Sequence, residues 1–259
     1  MQFAETDINN GEKRKLENGT EDLVSKKRNN RDVISYNDHP KLLIPKLCKL
    51  MYDLGWATGT GGGMSIRDGS KIYMAPSGVQ KEMIQPEEVF LCNSTGEVVE
   101  SPEKKLKLTE CAPLFMNAYT MRNAGAVLHS HSKFANLVSL LFKGPEFKIT
   151  HQEMQKGIKK GSTTNPFKYN DMLIVPIIEN VCHERELTNR MRRAMEMYPE
   201  TNAVIVRRHG VYIWGSTWQA AKSQAECYHY LFEIAIEMKR LGLNPDQPPG
   251  NEGGITDAD

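Results

Sequence analysis

The feature that most constrains the fold of this chain is a pair of histidines at the end of a short apolar run. Residues 126–128 are Ala-Val-Leu, which predicts a buried strand, and His129-Ser130-His131 follows directly. Side chains at alternate strand positions point to one face, so both imidazoles can converge on one point. His209 ends a second apolar run far downstream. Three protein ligands with one open position are typical of catalytic zinc, although spacing alone leaves hydrogen-bonded core histidines as an alternative.

Length, charge and cysteine content exclude several classes of protein. The chain has 259 residues and a formal net charge of +1, which gives no electrostatic argument for a nucleic-acid partner. No apolar stretch approaches the ~18 residues of a membrane span. Its five cysteines are scattered and form no CxxC, which argues against a disulfide framework or a cysteine zinc knuckle. A reducing cytosol is the expected compartment.

Composition divides the chain into three segments. Residues 1–37 are polar, carry both charge signs and lack apolar periodicity, so we expect a disordered tail. Residues 38–245 are expected to form one catalytic domain, and residues 246–259 a loose end rich in proline and glycine.

Helical and strand patterns alternate within the central segment. Helices are predicted at residues 43–54, 111–122, 134–142, 184–198 and 218–241, and strands at 64–67, 71–75, 126–128, 173–178, 203–206 and 211–214. Pro45 predicts that the first helix either begins there or is kinked. Asp68-Gly69 predicts a hairpin, and Pro176 places its strand near a sheet edge or at a bulge. Alternating elements with a hairpin favour a mixed sheet in one α/β domain.

Two turns and a basic loop are candidates for binding an anion. The glycine-rich segment 58–63 can present backbone N–H groups to a phosphate, but a flexible loop explains it equally well. It lacks the features of a P-loop and of a dinucleotide-binding turn. Pro76-Ser77-Gly78 can bind an oxyanion or simply turn the chain. The lysines at 104, 105 and 107 are either positive charge for a substrate or a solvated loop.

Two further residues are candidates for chemistry. Cys111 begins a predicted helix, where a lowered thiol pKa and an anion contact are expected, although most single cysteines only pack. Glu153 is a candidate proton shuttle if the fold brings it to the metal, and otherwise a solvated carboxylate. His151 is a weaker candidate for an additional ligand.

Several motifs together resemble the class II aldolase and adducin family. They are Val-Leu-His-Ser-His at 127–131, Arg-His-Gly at 208–210, the glycine turn at 60–65 and Ala-Pro-Ser-Gly at 75–78. A closer match to a dehydratase branch of that family is carried by residues 77–82, 147–154 and 176–180. The resemblance covers about residues 39–245, nearly the whole folded segment. It implies a single α/β/α domain with a central mixed, largely antiparallel sheet.

The resemblance also implies roles for individual residues. Zinc, one ion per subunit, would be bound by His129, His131 and His209, with Glu153 as the catalytic acid/base. Cys111 would contact the substrate. The sugar-phosphate aldolases of the family have their acid/base glutamate at the position of Cys111, which weakens an aldolase interpretation.

A phosphate group of the substrate is expected at Gly62, Ser77 and Gly78. The family asparagine in the glycine turn is replaced by Gly63, which leaves the individual phosphate contacts open.

The expected activity is zinc-dependent removal of water from a small phosphorylated keto sugar in methionine salvage. The alternatives are a zinc-dependent sugar-phosphate aldolase and a non-catalytic, adducin-like binding protein. The resemblance further implies a homotetramer with sites near subunit contacts. A further protein partner stays open.

Overall fold

A computed structural model describes residues 39–250 and 254–255. The tail expected at residues 1–37 lies outside the described residues. Of the loose C-terminal end, the described residues 246–250 contain no helix or strand. None of the described helices is long and apolar enough to cross a membrane.

Five helices and eleven strands make up the described chain. The helices are α1 (Pro40–Asp53), α2 (Ala112–Arg122), α3 (Lys133–Leu141), α4 (Thr188–Met197) and α5 (Trp218–Arg240). The strands are β1 (Gly63–Asp68), β2 (Lys71–Met74), β3 (Pro76–Ser77), β4 (Phe90–Cys92), β5 (Val98–Glu100), β6 (Lys107–Leu108), β7 (Ala126–Ser130), β8 (Glu146–Thr150), β9 (Met172–Ile178), β10 (Ala203–Val206) and β11 (Gly210–Gly215). Short 3-10 turns cover Lys81–Met83, Pro86–Glu88, Glu153–Gly157 and Glu184–Leu187.

Nine strands form one sheet in the order β5-β4-β2-β1-β7-β11-β10-β9-β8, and β3 and β6 form a separate pair. Within the described sheet every neighbouring pair is antiparallel except β9 and β10. The predicted mixed, largely antiparallel sheet is confirmed.

Helices cover both faces of the sheet because its central strands are apolar on both sides. In β7, Ala126 and Leu128 join the larger core with α1, α3 and α5, whereas Val127 joins the second core with α2 and α4. This period of two along a continuous apolar run is expected for a strand buried on both faces. The predicted α/β/α layering follows from it.

Most predicted elements are present, with differences at α1, at the start of α4, where Glu184–Leu187 is a 3-10 turn, and at strands β3 to β6 and β8, which were not predicted. The helix α1 begins at Pro40, which takes the first-turn position, and it continues through Pro45. The predicted hairpin is formed by β1 and β2, with Asp68 opposite Lys71. β9 contains Pro176 and lies next to the edge strand β8, which was not predicted.

Strand directions decide which loops meet. β7, β9 and β10 run in one direction, and β1, β8 and β11 run in the other. The carboxyl ends of β2, β7, β9 and β10 therefore lie beside the amino end of β1, along the boundary of the sheet that runs across the strand ends. We call this boundary the upper edge, which is distinct from the outermost strands β5 and β8. The carboxyl end of β8 lies at the opposite, lower edge.

Candidate metal centre

The three predicted histidine ligands converge at the upper edge. The Nε2 atoms of His129 and His131 lie 2.9 Å apart, those of His131 and His209 3.0 Å, and those of His129 and His209 3.2 Å. Two nitrogens bound at about 2.0–2.1 Å to one tetrahedral ion lie about 3.3–3.4 Å apart, so a single ion fits with small adjustments. The triad can therefore hold a metal ion.

Hydrogen bonds on the far side of two rings fix their tautomers. Nδ1 of His129 lies 3.2 Å from the carbonyl oxygen of Val211, and Nδ1 of His209 lies 3.2 Å from Oδ1 of Asn180. An oxygen of this kind can only accept, so each Nδ1 carries the proton and each Nε2 presents a lone pair. Lone pairs about 3 Å apart repel one another unless a cation lies between them. Imidazoles oriented in this way are typical of metal ligands.

Two of the ligands are poised to bind a metal without losing a proton at neutral pH. Burial lowers the pKa of His131 to about 3 and that of His209 to about 4, and the neighbouring His129 adds to both decreases. A histidine ligand must be neutral to bind a metal ion. These two imidazoles are already neutral at pH 7.

The glycine-rich turn forms one wall of the centre. A Cβ atom at Gly61 would lie 2.3 Å from Nδ1 of His131. Gly62 has a φ of +71°, and a Cβ there would lie 2.9 Å from the backbone oxygen of His129. The backbone N–H of His131 donates to the carbonyl oxygen of Trp56 over 2.8 Å. Only residues without a Cβ allow the turn to approach the ligands this closely.

Ser130, between two ligands, points to the other face of the sheet. Its hydroxyl lies 2.8 Å from Nε2 of His229 in α5. Nδ1 of His229 donates to the carbonyl oxygen of Ala225 over 2.7 Å, so the serine hydroxyl donates to Nε2. Trp56 stacks on His229 with ring centroids 4.0 Å apart. Helix α5 thereby anchors the strand that carries the metal ligands.

The sequence pattern did not predict the carboxylate beside the triad. Glu184 begins the 3-10 turn after β9, and its Oε1 lies 3.0 Å from Nε2 of His129 and 3.8 Å from Nε2 of His209. The same oxygen accepts a hydrogen bond from Tyr212, whose ring stacks on His129. Burial raises the pKa of Glu184, but the hydrogen bonds that its carboxylate accepts, including those from Tyr212 and Cys111, outweigh this effect and hold the pKa well below its usual range. Its only sequence signal was an acidic position shortly after an apolar strand.

Cys111 caps α2 beside Glu184. The side chain is buried, and its ligand atom lies within 4.8 Å of those of His129 and Glu184. Burial and the charge of Glu184 raise the pKa of the Cys111 thiol well above its usual value. The expected lowering of this pKa is therefore wrong, because desolvation outweighs the helix N-terminus. The predicted substrate contact stays a prediction.

The structure does not bring Glu153 to the triad within one chain. Glu153 follows β8 at the lower edge, and β8 is four strands away from β7. At about 4.8 Å per strand, that displacement alone amounts to about 19 Å. The Glu153 side chain is 71% exposed and pairs with Lys156 over 2.8 Å. Its catalytic role stays a prediction, and so does the weaker ligand role of His151 on the same segment.

Lys81 joins the two loops that are predicted to bind phosphate. Its side chain is buried, and Nζ donates to the carbonyl oxygens of Thr60, over 2.7 Å, and Val79, over 3.1 Å. Thr60 belongs to the glycine turn, and Val79 directly follows Ser77-Gly78. Among the described residues Lys81 forms no ion pair, and burial lowers its pKa. An ammonium group in this setting is a favourable neighbour for an anion.

Comparisons with known proteins agree with this arrangement. The family model for the Class II Aldolase and Adducin N-terminal domain matches residues 43–236. Relatives from Homo sapiens, Mus musculus and Danio rerio, each named methylthioribulose-1-phosphate dehydratase, are 60%, 59% and 58% identical over 220 residues. Each alignment covers 84% of this chain and 91% of the relative.

Solved structures show the same fold at lower identity. An L-fuculose 1-phosphate aldolase matches with a TM-score of 0.65 and 20% identity, covering 85% of this chain and 94% of that one. An aldolase II superfamily protein from Pseudomonas syringae matches with a TM-score of 0.63 and 17% identity, covering 85% and 83%. With a family model that spans most of the described residues and relatives near 60% identity, this chain belongs to the class II aldolase and adducin family, in the branch whose curated members are named methylthioribulose-1-phosphate dehydratase.

Proposed function

We propose that this chain is a hydro-lyase that removes water from 5-methylthioribulose 1-phosphate in methionine salvage. The observation that carries the proposal is the convergence of His129, His131 and His209 on one point. It occurs in a chain that is 60% identical to a relative named for this reaction. The five cysteines are free and scattered, which supports a cytosolic location.

Zinc is the metal we propose for the triad. An all-imidazole donor set with one further position suits zinc, with iron, cobalt and nickel as competitors. When bound, the ion supplies Lewis acidity to the substrate carbonyl and its neighbouring hydroxyl, which makes the C3 proton acidic. The protein's part is to hold His129, His131 and His209 in fixed tautomers around it.

Overall, the reaction removes the C3 proton and the C4 hydroxyl as one molecule of water. The resulting enol tautomerises to a 2,3-diketone, the 5-methylthio-2,3-diketopentyl 1-phosphate. We propose Glu153 as the group that moves the C3 proton and protonates the departing hydroxyl. Because Glu153 follows a strand at the opposite sheet edge, this role requires Glu153 from a second copy of the chain, and we propose that a homotetramer with shared sites provides it.

The phosphate is proposed to bind between the glycine turn and the loop after β2. Backbone N–H groups around Gly62, Ser77 and Gly78 would donate to it. Lys81 supports this position because its buried ammonium group already bridges the two loops. Cys111, protonated and beside the centre, would contact the sugar portion of the substrate.

The test is turnover by purified, metal-analysed protein, with product identification. We expect diketone formation, one zinc ion per chain, and loss of turnover in Glu153→Gln with unchanged zinc content. Glu196→Gln, an exposed glutamate on α4, is the matched control. Aldehyde products from carbon–carbon cleavage would instead indicate an aldolase, and absence of any turnover would favour a binding protein.

A further inference from the structure

His151 holds a backbone conformation that is uncommon for a residue with a side chain. Its φ is +55°, in the left-handed region. Asn123, another described residue with a positive φ, is explained by its position as the C-cap of α2. His151 lies instead between the end of β8 and the 3-10 turn that begins with Glu153. Strained residues persist where the surrounding structure holds them, and they cluster at functional sites.

Hydrogen bonds fix the tautomer of the His151 ring. The Thr150 hydroxyl donates its single proton to the carbonyl oxygen of Asp171 over 2.9 Å, and Nδ1 of His151 lies 3.0 Å from the same hydroxyl. The hydroxyl oxygen can then only accept from Nδ1, so in the neutral ring Nδ1 carries the proton and Nε2 presents a lone pair. Among the described residues Nε2 has no hydrogen-bond partner. It is therefore free to accept a proton.

Neighbouring side chains hold the segment that carries both His151 and Glu153. The Tyr169 ring meets the His151 ring edge to face, with centroids 5.2 Å apart. The buried Gln155 amide donates to the carbonyl oxygen of Asp171 over 3.0 Å. His151 and Glu153 are thus two positions apart on one fixed segment that follows β8 at the lower edge. A copy of the chain that offers Glu153 to a neighbouring triad therefore offers His151 with it.

The proposed reaction requires a further proton transfer after water has left. The enol must lose the proton of its C3 hydroxyl, and C4 must gain a proton, before the 2,3-diketone is formed. A group that first accepts a proton and then donates it can catalyse both halves of this step. A neutral imidazole with a free ring nitrogen is such a group.

We infer that His151, presented with Glu153 by a neighbouring copy, catalyses the conversion of the enol to the diketone. Nε2 takes the proton of the C3 hydroxyl, and the electron pair of the O–H bond becomes the second bond of the C3 carbonyl. The electron pair of the C3=C4 double bond then forms a C4–H bond with the proton that the imidazolium returns. The ring ends as it began, and no co-reactant is consumed. The inference rests on the proposed function, since it needs Glu153 and His151 to reach the triad of another copy.

Proton NMR of the reaction tests this role, because the enol has a vinyl proton at C4 and the diketone has a methylene group there. Wild type, His151→Asn, His151→Gly and the control His39→Asn, all with analysed zinc content, are given 5-methylthioribulose 1-phosphate. Asparagine and glycine both tolerate a left-handed φ, so the two His151 variants keep the backbone. His39 is exposed and is the N-cap of α1, a position that asparagine also suits.

We expect both His151 variants to consume substrate and to release the enol. It should accumulate to at least about tenfold above its level with wild type, since general acid–base catalysis of such a step contributes about 10²–10⁴-fold. The released enol should then decay at a rate that does not depend on enzyme concentration. His39→Asn should behave as wild type.

Three results would overturn the inference. Release of the enol by wild type would show that the protein does not catalyse the step, and formation of diketone alone by both His151 variants would show that His151 is not needed for it. Loss of substrate consumption in both variants would place His151 in the removal of water, or in metal binding if zinc were lost as well. Absence of any diketone or enol from wild type would instead contradict the proposed function itself.

Discussion

Gly61 is the residue on which the position of His131 depends most directly. A Cβ atom there would lie 2.3 Å from Nδ1 of the imidazole, a distance that requires the ring to move. We predict that Gly61→Ala weakens zinc binding by at least about tenfold, since a displaced ligand loses its geometry. Chelator competition at pH 7 measures this effect.

Gly63 provides the control for that substitution. A Cβ there would meet only Cε of Lys81, at an ordinary contact distance of 3.7 Å. Gly63→Ala should therefore retain zinc affinity. Equal zinc affinities in the two alanine variants would contradict the close approach at Gly61.

Lys81 is expected to act on affinity for the phosphate group. Methionine keeps the length of the side chain but removes the buried positive charge and its two hydrogen bonds. We predict that Lys81→Met raises KM at least about tenfold and weakens inhibition by inorganic phosphate in parallel, at unchanged zinc content. Lys71→Met, at an exposed lysine where β2 begins, is the control. A fall in kcat with unchanged KM would argue against a role in phosphate binding.

The histidine ligands were predictable at this scale, but Glu184 was not. Histidine is scarce in this chain, and strand alternation places His129 and His131 together without knowledge of the fold. Glutamate is common on protein surfaces, and nothing local distinguishes Glu184 from Glu186. Its position beside the triad depends on the parallel neighbours β9 and β10 ending side by side, which is a tertiary property.

At the scale of elements, β7 is fixed from both faces. His129 faces the metal centre, while Ser130 bonds to His229 of α5. Burial lowers the pKa of His229 to about 4, so this ring is neutral in the folded chain. In the unfolded chain its pKa returns to about 6.5.

His229 should therefore make folding sensitive to acid. Between pH 6.5 and pH 4 the unfolded chain binds a proton that the folded chain does not, so stability falls as pH falls through this window. The contribution is on the order of 3 kcal/mol and levels off below pH 4. We predict that metal-free His229→Gln loses less stability than metal-free wild type between pH 7 and pH 4, by urea unfolding. Parallel pH profiles would contradict this.

Element prediction succeeded where patterns were local and failed where pairing was distant. The hairpin of β1 and β2 and the long α5 carry their signals in adjacent residues. β3, β6 and β8 do not, because their strand partners are distant in the sequence. The short strands β4 and β5 were also not predicted, although they pair with each other across a local turn. Missing β8 meant that the position of Glu153 at the lower edge could not be foreseen.

At the scale of the whole molecule, the triad lies at the upper edge of the sheet and Glu153 lies at the lower edge. Catalysis by Glu153 then requires a neighbouring copy whose lower edge meets this upper edge. We predict that two inactive variants, Glu153→Gln and His209→Gln, regain activity when co-assembled. About a quarter of sites should be intact in an equal mixture, because half of the triads and half of the neighbouring glutamates are wild type.

Differently tagged chains, purified through both tags, allow that measurement. The activity of wild type co-assembled with each single variant gives the reference against which the recovered activity is compared. Absence of activity in a verified mixed assembly would contradict a shared site and would direct attention to a carboxylate of the same chain such as Glu184, whose Oε1 lies 3.0 Å from Nε2 of His129.

His129 and His209 are separated by 80 positions in the chain, and β11 lies between their strands. An ion bound to both is a cross-link that closes a long loop, and it can form only once the sheet is assembled. Binding to the folded chain alone shifts the folding equilibrium toward that state. The same ion thus ties two distant stretches of chain together, so loss of the metal and loosening of the upper-edge loops are one thermodynamic event.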